Sequence, residues 1–114
     1  MITNADCTVY RLEGDAYLRI YLHAVNWQQA QGSLVNDGRH LSEQARSESL
    51  IFLPFSLGFQ PKLEDIFIRG DCPIPAKTAT KKALTSTGED RMVARTIARL
   101  DNGSDAMGHW EVSG

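Results

Sequence analysis

The chain has 114 residues, of which 42% are hydrophobic, and this length suits a single globular domain over residues 1–114 with a modest core. Its formal net charge is −2, so it lacks the basic excess that is typical of nucleic-acid coats and membrane-surface proteins. The longest apolar stretch, Leu50 to Phe59, is interrupted by Pro54 and is far too short to cross a bilayer, so no membrane partner is expected.

The N-terminal residues and the two cysteines bear on the compartment. Residues 1–7 contain no basic region followed by an apolar one, so a secretory signal is not predicted and synthesis in a cytoplasm is expected. In that reducing compartment Cys7 and Cys72 are predicted to stay free thiols, although the two could in principle pair.

The N-terminal third predicts a β-hairpin. Residues 8–12 and 17–25 are rich in β-branched, aromatic and apolar types, and Gly14-Asp15 between them favours a turn. In the second run the residue types alternate, which is typical of a half-buried strand. The side predicted to face the core carries Leu18, Ile20 and Leu22, and the other side carries Tyr17, Arg19, Tyr21 and His23. Trp27 is expected at one end of the core with its indole N–H near the surface.

Two further strands are predicted in the middle of the chain. Leu50 to Phe55 is a continuous apolar run, and a strand is expected to end at or near Pro54 because proline cannot donate a ladder hydrogen bond. Asp65 to Arg69 concentrates β-formers and stops at Gly70-Asp71, where a turn is expected.

Two long loops are predicted, and the first of them is polar. The first spans Gln28 to Ser49, with a short helix conceivable around Leu41 to Ser47, and the second spans Cys72 to Asp90 without an apolar period. Long loops on a small domain usually carry function while the strands serve as a scaffold.

The C-terminal segment allows two interpretations. Met92 to Leu100 has apolar residues at helical spacing, so a helix is the alternative to a strand. The turn signal of residues 101–104 and the alternation from Met107 to Val112 favour two antiparallel strands. The chain is therefore predicted to be mainly β, as a small antiparallel β-barrel or sandwich with two long loops.

No catalytic, metal or cofactor site is predicted. His23, His40 and His109 have no ligand at metal-binding spacing, and Ser33 and Ser104 lack the glycine pattern of a nucleophile elbow. No phosphate-binding glycine loop is present. The chain is interpreted as a non-enzyme, with a small hydrolase or isomerase built from dispersed residues as an alternative.

The second loop and the segment after it form one concentrated basic region. Its members are Lys77, Lys81, Lys82, Arg91, Arg95 and Arg99. The arginines are four residues apart, so on a continuous strand they would share one face. The simpler interpretation is a solvated face with salt links to acidic residues, and the alternative is a stripe that faces phosphates or a partner.

The order of these features resembles the small neck proteins of long-tailed bacteriophages, which are minor capsid or head-tail connector (head-closure) proteins. The resemblance rests on five stretches of the chain, of which the closing hairpin is the most distinctive. They are the strand Thr8 to Arg11, the strand ending in Val25-Asn26-Trp27, the strand Ser49 to Pro54, Glu64 to Gly70, and the hairpin from Leu100 to Val112.

The resemblance implies a non-catalytic virion subunit in the head-tail neck, which joins the portal side to the tail and helps to retain DNA. It implies self-assembly into a homo-oligomeric ring with portal or adaptor and tail proteins as partners. The second loop, with its three lysines, is expected to face the packaged double-stranded DNA, and the first loop a neighbouring ring.

The alternative is a small β-barrel that binds single-stranded nucleic acid or a peptide. Exposed aromatic side chains beside a basic residue can stack bases. The residues that would form this surface are Tyr17, Arg19, Tyr21 and His23.

Overall fold

A computed structural model of the chain describes residues 3–30, 48–88, 90–101 and 108–114. The described part is mainly β, which confirms the predicted fold class. Within the described residues, one short helix, α1 (Lys81–Thr85), and single 3-10 turns at Phe55–Leu57 and Ala76–Thr78 accompany the strands. The strands are β1 (Ala5–Glu13), β2 (Ala16–Ala30), β3 (Glu48–Pro54), β4 (Ile66–Arg69), β5 (Arg91–Val93), β6 (Thr96–Leu100) and β7 (His109–Ser113).

The strands form one seven-stranded sheet in the order β5-β4-β1-β2-β3-β7-β6, and every neighbouring pair is antiparallel. The two end strands are consecutive in the chain, with only Ala94 and Arg95 between them. The Ala94 N–H donates to the Asp65 carbonyl at 2.8 Å, and the Arg95 N–H donates to the Ser113 carbonyl at 2.8 Å. This corner ties the two ends of the sheet together, so the sheet curls into a half-barrel.

A bulge in β2 changes which side chains face the inside. Cys7 pairs with Leu22 and Ala5 pairs with Val25, so β2 has one residue more than β1 between these pairs. Ala24 takes up the irregularity with φ of 71°. Leu22 and Val25, three residues apart, therefore both lie in the core.

The hairpin predicted at the N-terminus is confirmed, with Gly14 at φ of 67° in its turn. Two details differ. Leu18, predicted to be in the core, is 45% exposed because it lies close to the hairpin turn, opposite Arg11. The strand also continues past Val25, with Gln28 paired to Leu50, so the first loop begins later than predicted. Residues 31–47, which include the suggested helix at Leu41 to Ser47, lie outside the described residues.

The segment from Met92 to Leu100 is extended, as predicted, but it is not one strand. Arg95 and Thr96 both face Ser113, which makes a second bulge between β5 and β6. Only β6 pairs with β7, from Thr96 opposite Ser113 to Leu100 opposite His109, while β5 pairs with β4. The predicted turn at residues 102–104 lies outside the described residues.

Apolar side chains form two clusters, one on each face of the sheet. The inner cluster fills the concave side and includes Val9, Leu22, Trp27, Leu53 and Phe67. The outer cluster comprises Tyr10, Ile66, Ile68, Cys72 and Leu84, with Tyr17, Ile74, Ala79 and Val93 packed against it. The second loop was predicted from its lack of an apolar period, yet its residues cover the outer cluster and Leu84 in α1 is fully buried.

Polar side chains of β1 and β2 hold the second loop on the outer face. The Thr8 hydroxyl accepts from the Cys72 N–H at 2.9 Å. The Tyr10 hydroxyl donates to the Ile74 carbonyl at 2.7 Å, and Arg19 Nη2 donates to the Cys72 carbonyl at 2.6 Å. Burial raises the pKa of Tyr10 to about 12, so this donor keeps its proton at neutral pH. The first residues of the second loop, from Cys72 to Ile74, therefore form a fixed layer on the outer face of the sheet.

Trp27 and the two cysteines are buried. Trp27 is 2% exposed, and its Nε1 is buried without a hydrogen-bond partner among the described residues, so the prediction of an indole N–H near the surface is wrong. Cys7 and Cys72 are free thiols in the inner and the outer cluster respectively. Burial raises the pKa of Cys7 to about 12, which keeps this thiol protonated at neutral pH.

A buried ion pair holds the segment between β3 and β4 against the sheet. Arg11 donates from Nε and Nη2 to the two carboxylate oxygens of Asp65 at 2.9 and 2.7 Å. The Asp65 side chain is 1% exposed and that of Arg11 is 14% exposed. The same carboxylate accepts from the Lys62 N–H at 2.9 Å, and the guanidinium lies 5.2 Å from the Phe59 ring centroid. The bond to Asp65 raises the pKa of Arg11.

Replacing Asp65 by alanine is expected to lower the free energy of unfolding by about 3–5 kcal/mol, because the variant leaves the guanidinium of Arg11 without its buried partner. Asp71→Ala is the matched control. Asp71 also pairs with an arginine, Arg19, but its side chain is 71% exposed, so a loss below about 1 kcal/mol is expected. Urea unfolding followed by circular dichroism measures both, and equal losses in the two variants would contradict the assignment.

Candidate functional site

The predicted basic region is divided between the two faces of the sheet. Lys77, Lys81 and Lys82 are exposed on the second loop and make no ion pair with any residue that the structure describes. Arg91 lies on the same outer face, since its cross-strand partner is Ile68 of the outer cluster. These four side chains form a cationic outer surface.

The other two arginines of that region lie elsewhere. Arg95 is at the corner and pairs with Glu64 at 2.9 Å. Arg99 pairs with Asp101 at 3.2 Å, and its cross-strand partner is Trp110, which packs against the inner cluster. The prediction that the arginines share one face is therefore wrong. The bulge at Arg95-Thr96 reverses the alternation and turns Arg99 to the inside.

An open cavity of about 480 Å³ lies between the segment 55–60 and the side chains of Arg99 and Trp110. This Arg99 cavity is lined on one side by Phe55, whose ring centroid is 5.6 Å from that of Trp110 in an edge-to-face arrangement. The Arg99 guanidinium lies 4.6 Å from the Phe55 centroid and 5.8 Å from the Trp110 centroid. Both distances suit cation–π attraction, which fixes the charge at the cavity wall.

Gly108 allows this aromatic wall to form. The Phe55 N–H donates to the Gly108 carbonyl at 3.1 Å. A Cβ at Gly108 would lie 2.2 Å from a carbon of the Phe55 ring, so a larger residue would displace the ring. The sequence reasoning missed this cavity, because Phe55, Arg99 and Trp110 are far apart in the chain and meet only through the pairing of β3, β7 and β6.

The aromatic surface proposed for nucleic acid is largely engaged within the molecule. Arg19 bonds to the Cys72 carbonyl and to Asp71, and Tyr17 packs against the outer cluster. Tyr21 and His23 remain accessible, at 42% residue exposure and 80% side-chain exposure respectively. Two of the four side chains are thus unable to stack bases without breaking contacts.

Asp6 binds the two accessible members of that surface. The Tyr21 hydroxyl donates to Asp6 Oδ2 at 2.5 Å, and His23 Nδ1 lies 3.1 Å from Asp6 Oδ1. The Ala24 N–H at the bulge donates to Oδ1 at 3.0 Å. The hydrogen bond from Tyr21 lowers the pKa of Asp6, and acceptance by Asp6 raises the pKa of Tyr21 to about 12. The carboxylate therefore secures the β2 bulge.

Two kinds of site are missing from the described part of the chain. No group of three or more His, Cys, Asp and Glu side chains is arranged there to hold a metal ion. None of its helices has the length and apolar character that a membrane span requires.

Comparison with known protein families finds a match over nearly the whole chain. A family described as a family of unknown function (DUF6751) matches residues 2–114 of the chain. Neither a curated protein nor a solved structure matches.

The Asp6 contacts predict a pH-dependent contribution to stability. The folded-state pKa of Asp6 lies below its unfolded value, so its stabilisation is present above about pH 4 and is lost as the pH falls through the folded pKa. Asp6→Asn is therefore expected to be less stable than the wild type near pH 7, and the difference is expected to shrink toward about pH 2.

Urea unfolding of both proteins across this pH range measures the difference. Tyr21→Phe serves as the second variant, because it removes the hydrogen-bond donor with the largest effect on the pKa of Asp6. This variant is expected to reduce the pH dependence of the stability. Parallel stability curves for the wild type and Asp6→Asn would show that the carboxylate does not act in this way.

Proposed function

The chain belongs to DUF6751, a family of unknown function, and we propose that it is a structural subunit of a tailed-bacteriophage virion that forms a homo-oligomeric ring in the head-tail neck. The proposed role is to join the portal side to the tail and to help retain DNA. It requires no catalysis and no cofactor. The chain would be made in the host cytoplasm and reside in the virion.

The observation that carries the proposal is a group of exposed leucines at one end of the half-barrel. Leu12, Leu18 and Leu63 are 56%, 45% and 61% exposed. They lie at the same end but not on one face. Leu12 pairs with Tyr17 on the outer face, near the turn of the first hairpin, and Leu18 pairs with Arg11 on the inner face. Leu63 is near them because Arg11 bonds to Asp65, two residues from Leu63. We call these three residues the apolar end. Single exposed leucines are common, but a group on a small domain favours a contact with another protein.

In the proposed ring, the apolar end, the cationic outer surface and the first loop each contact a different neighbour. The apolar end packs against the next subunit or against the portal or tail protein. The cationic outer surface, with Lys77, Lys81, Lys82 and Arg91, faces the packaged DNA. Its exposed cations have no acidic partner among the described residues, and such cations suit phosphates. The first loop contacts a neighbouring ring, and its residues 31–47 lie outside the described part of the chain.

The ring is expected to depend on the apolar end. The wild-type chain, alone or mixed with the portal protein of the same phage, is expected to give rings in negative-stain images and a multimeric mass in mass photometry. The triple variant Leu12→Ser, Leu18→Ser, Leu63→Ser is expected to stay monomeric while keeping the wild-type circular dichroism spectrum. Leu100→Ser is the control, because Leu100 is an exposed leucine on β6, 36% exposed, and outside the apolar end.

A chain that stays monomeric with and without the portal protein, and that is also missing from purified particles, would contradict the proposed function. If the triple variant still forms rings, the subunit contact lies outside the apolar end.

The three lysines of the second loop are expected to help retain DNA. Reversing their charge (Lys77→Glu, Lys81→Glu, Lys82→Glu) is expected to release DNA from filled heads, because phosphate attraction becomes repulsion. The matched control replaces the same three lysines by arginine, which keeps the charge. DNA retention is measured as the nuclease-resistant DNA per particle, and unchanged retention in the reversed variant would exclude these lysines from the DNA path.

A further inference from the structure

The outer edge of β6 is unpaired in the described part of the chain. Gly114 exchanges two backbone hydrogen bonds with Ser49, and Gly108 accepts one from Phe55, so the even-numbered residues of β7 bond to β3. Hydrogen-bonded positions alternate along an antiparallel strand, so the odd-numbered residues of β7 bond to β6. Their partners are Thr96, Ala98 and Leu100.

The backbone groups of the intervening residues, Ile97 and Arg99, therefore point away from β7. No described strand pairs with this edge, because β6 is the last strand of the sheet. An edge of this kind offers backbone donors and acceptors to an added strand. The edge also borders the Arg99 cavity, since Arg99 belongs to both.

The guanidinium of Arg99 has donor capacity that the described residues do not use. Among the described residues its only hydrogen-bond partner is Asp101, which accepts from Nη1 at 3.2 Å, and the side chain is 51% exposed. Arg11, on the same inner face, has both an aromatic ring and a carboxylate as partners. It stacks on Phe59 and gives Nε and Nη2 to the two oxygens of Asp65. Arg99 stacks on Phe55 in the same manner, while its Nε and Nη2 have no carboxylate among the described residues.

We propose that the β6 edge and the Arg99 cavity together dock an extended segment of a partner protein that carries an acidic side chain and, two residues away, an apolar one. The segment adds to the sheet beside β6 through backbone bonds to Ile97 and Arg99. Residues two apart on a strand point to the same side, so the carboxylate reaches Arg99 while the apolar side chain enters the cavity beside Phe55 and Phe59.

The cavity chemistry favours a peptide over other ligands. Its volume of about 480 Å³ lies within the usual range of ligand sites, and three aromatic side chains line it, Phe55, Phe59 and Trp110. Arg99 is the single cation among the described residues that line it, whereas a nucleic-acid groove needs several cations along the backbone path. A strand edge along one side is a feature that only a polypeptide uses in full.

A displayed library of random twelve-residue peptides, selected against the full-length wild-type chain, tests the proposal. Enriched peptides are expected to carry Asp or Glu two residues from an aromatic or aliphatic residue. Their affinity, measured by fluorescence anisotropy, is expected to fall at least tenfold for Arg99→Gln. The matched control is Arg95→Gln, which removes an exposed arginine outside the cavity and is expected to leave the affinity unchanged.

The backbone part of the proposal has its own test in the same peptides. N-methylation of every second amide blocks the donors on one edge of an extended peptide and leaves those on the other edge free. One of the two methylation series is expected to abolish binding and the other to preserve it. The lack of any enriched peptide would overturn the proposal, as would peptides that are insensitive to Arg99→Gln or that bind equally well in both methylated series.

The experiment also separates other ligands and does not depend on the proposed ring. If labelled oligothymidine binds the wild type but not Arg99→Gln, and no peptide is selected, the cavity would be assigned to nucleic acid instead. Ring formation through the apolar end involves different residues, so failure of either proposal leaves the other standing.

Discussion

The fold depends on the short link between the two ends of its sheet. Seven strands about 4.8 Å apart would place β5 and β6 about 29 Å from each other in a flat sheet. The three residue steps from Val93 to Thr96 span at most about 11 Å. The sheet is therefore forced to curl until its ends meet, and the concave side that results becomes the main core.

The curl also explains why the molecule needs a second apolar cluster. A small half-barrel has too little interior for all of its apolar side chains, and Tyr10, Ile66 and Ile68 lie on the convex side. The second loop covers them. Its backbone accepts hydrogen bonds from Tyr10 and Arg19 and donates one to the Thr8 hydroxyl. Buried polar groups of this kind stabilise a structure only when their partners are present, so loop and sheet depend on each other.

Local patterns were enough to locate most strands, and they failed where the chain departs from regular geometry. The alternation in residues 17–22 and the apolar run before Pro54 follow from side-chain burial and are visible in the sequence. The bulges at Ala24 and Arg95-Thr96 are not, because no glycine marks them and their cause is the pairing of distant strands. The direction of Arg99, and with it the cavity, follows from the second bulge and was equally hidden.

The corner at Ala94-Arg95 has a kinetic consequence as well. The strand β5 pairs with β4, which pairs with β1, and β6 pairs with β7, which pairs with β3. The corner can therefore form only when both halves of the sheet exist. Most of the loop-closure entropy is thus lost before the contacts that compensate for it are made. We therefore expect the corner to close late in folding, and we expect this chain to fold more slowly than a domain of mainly local contacts.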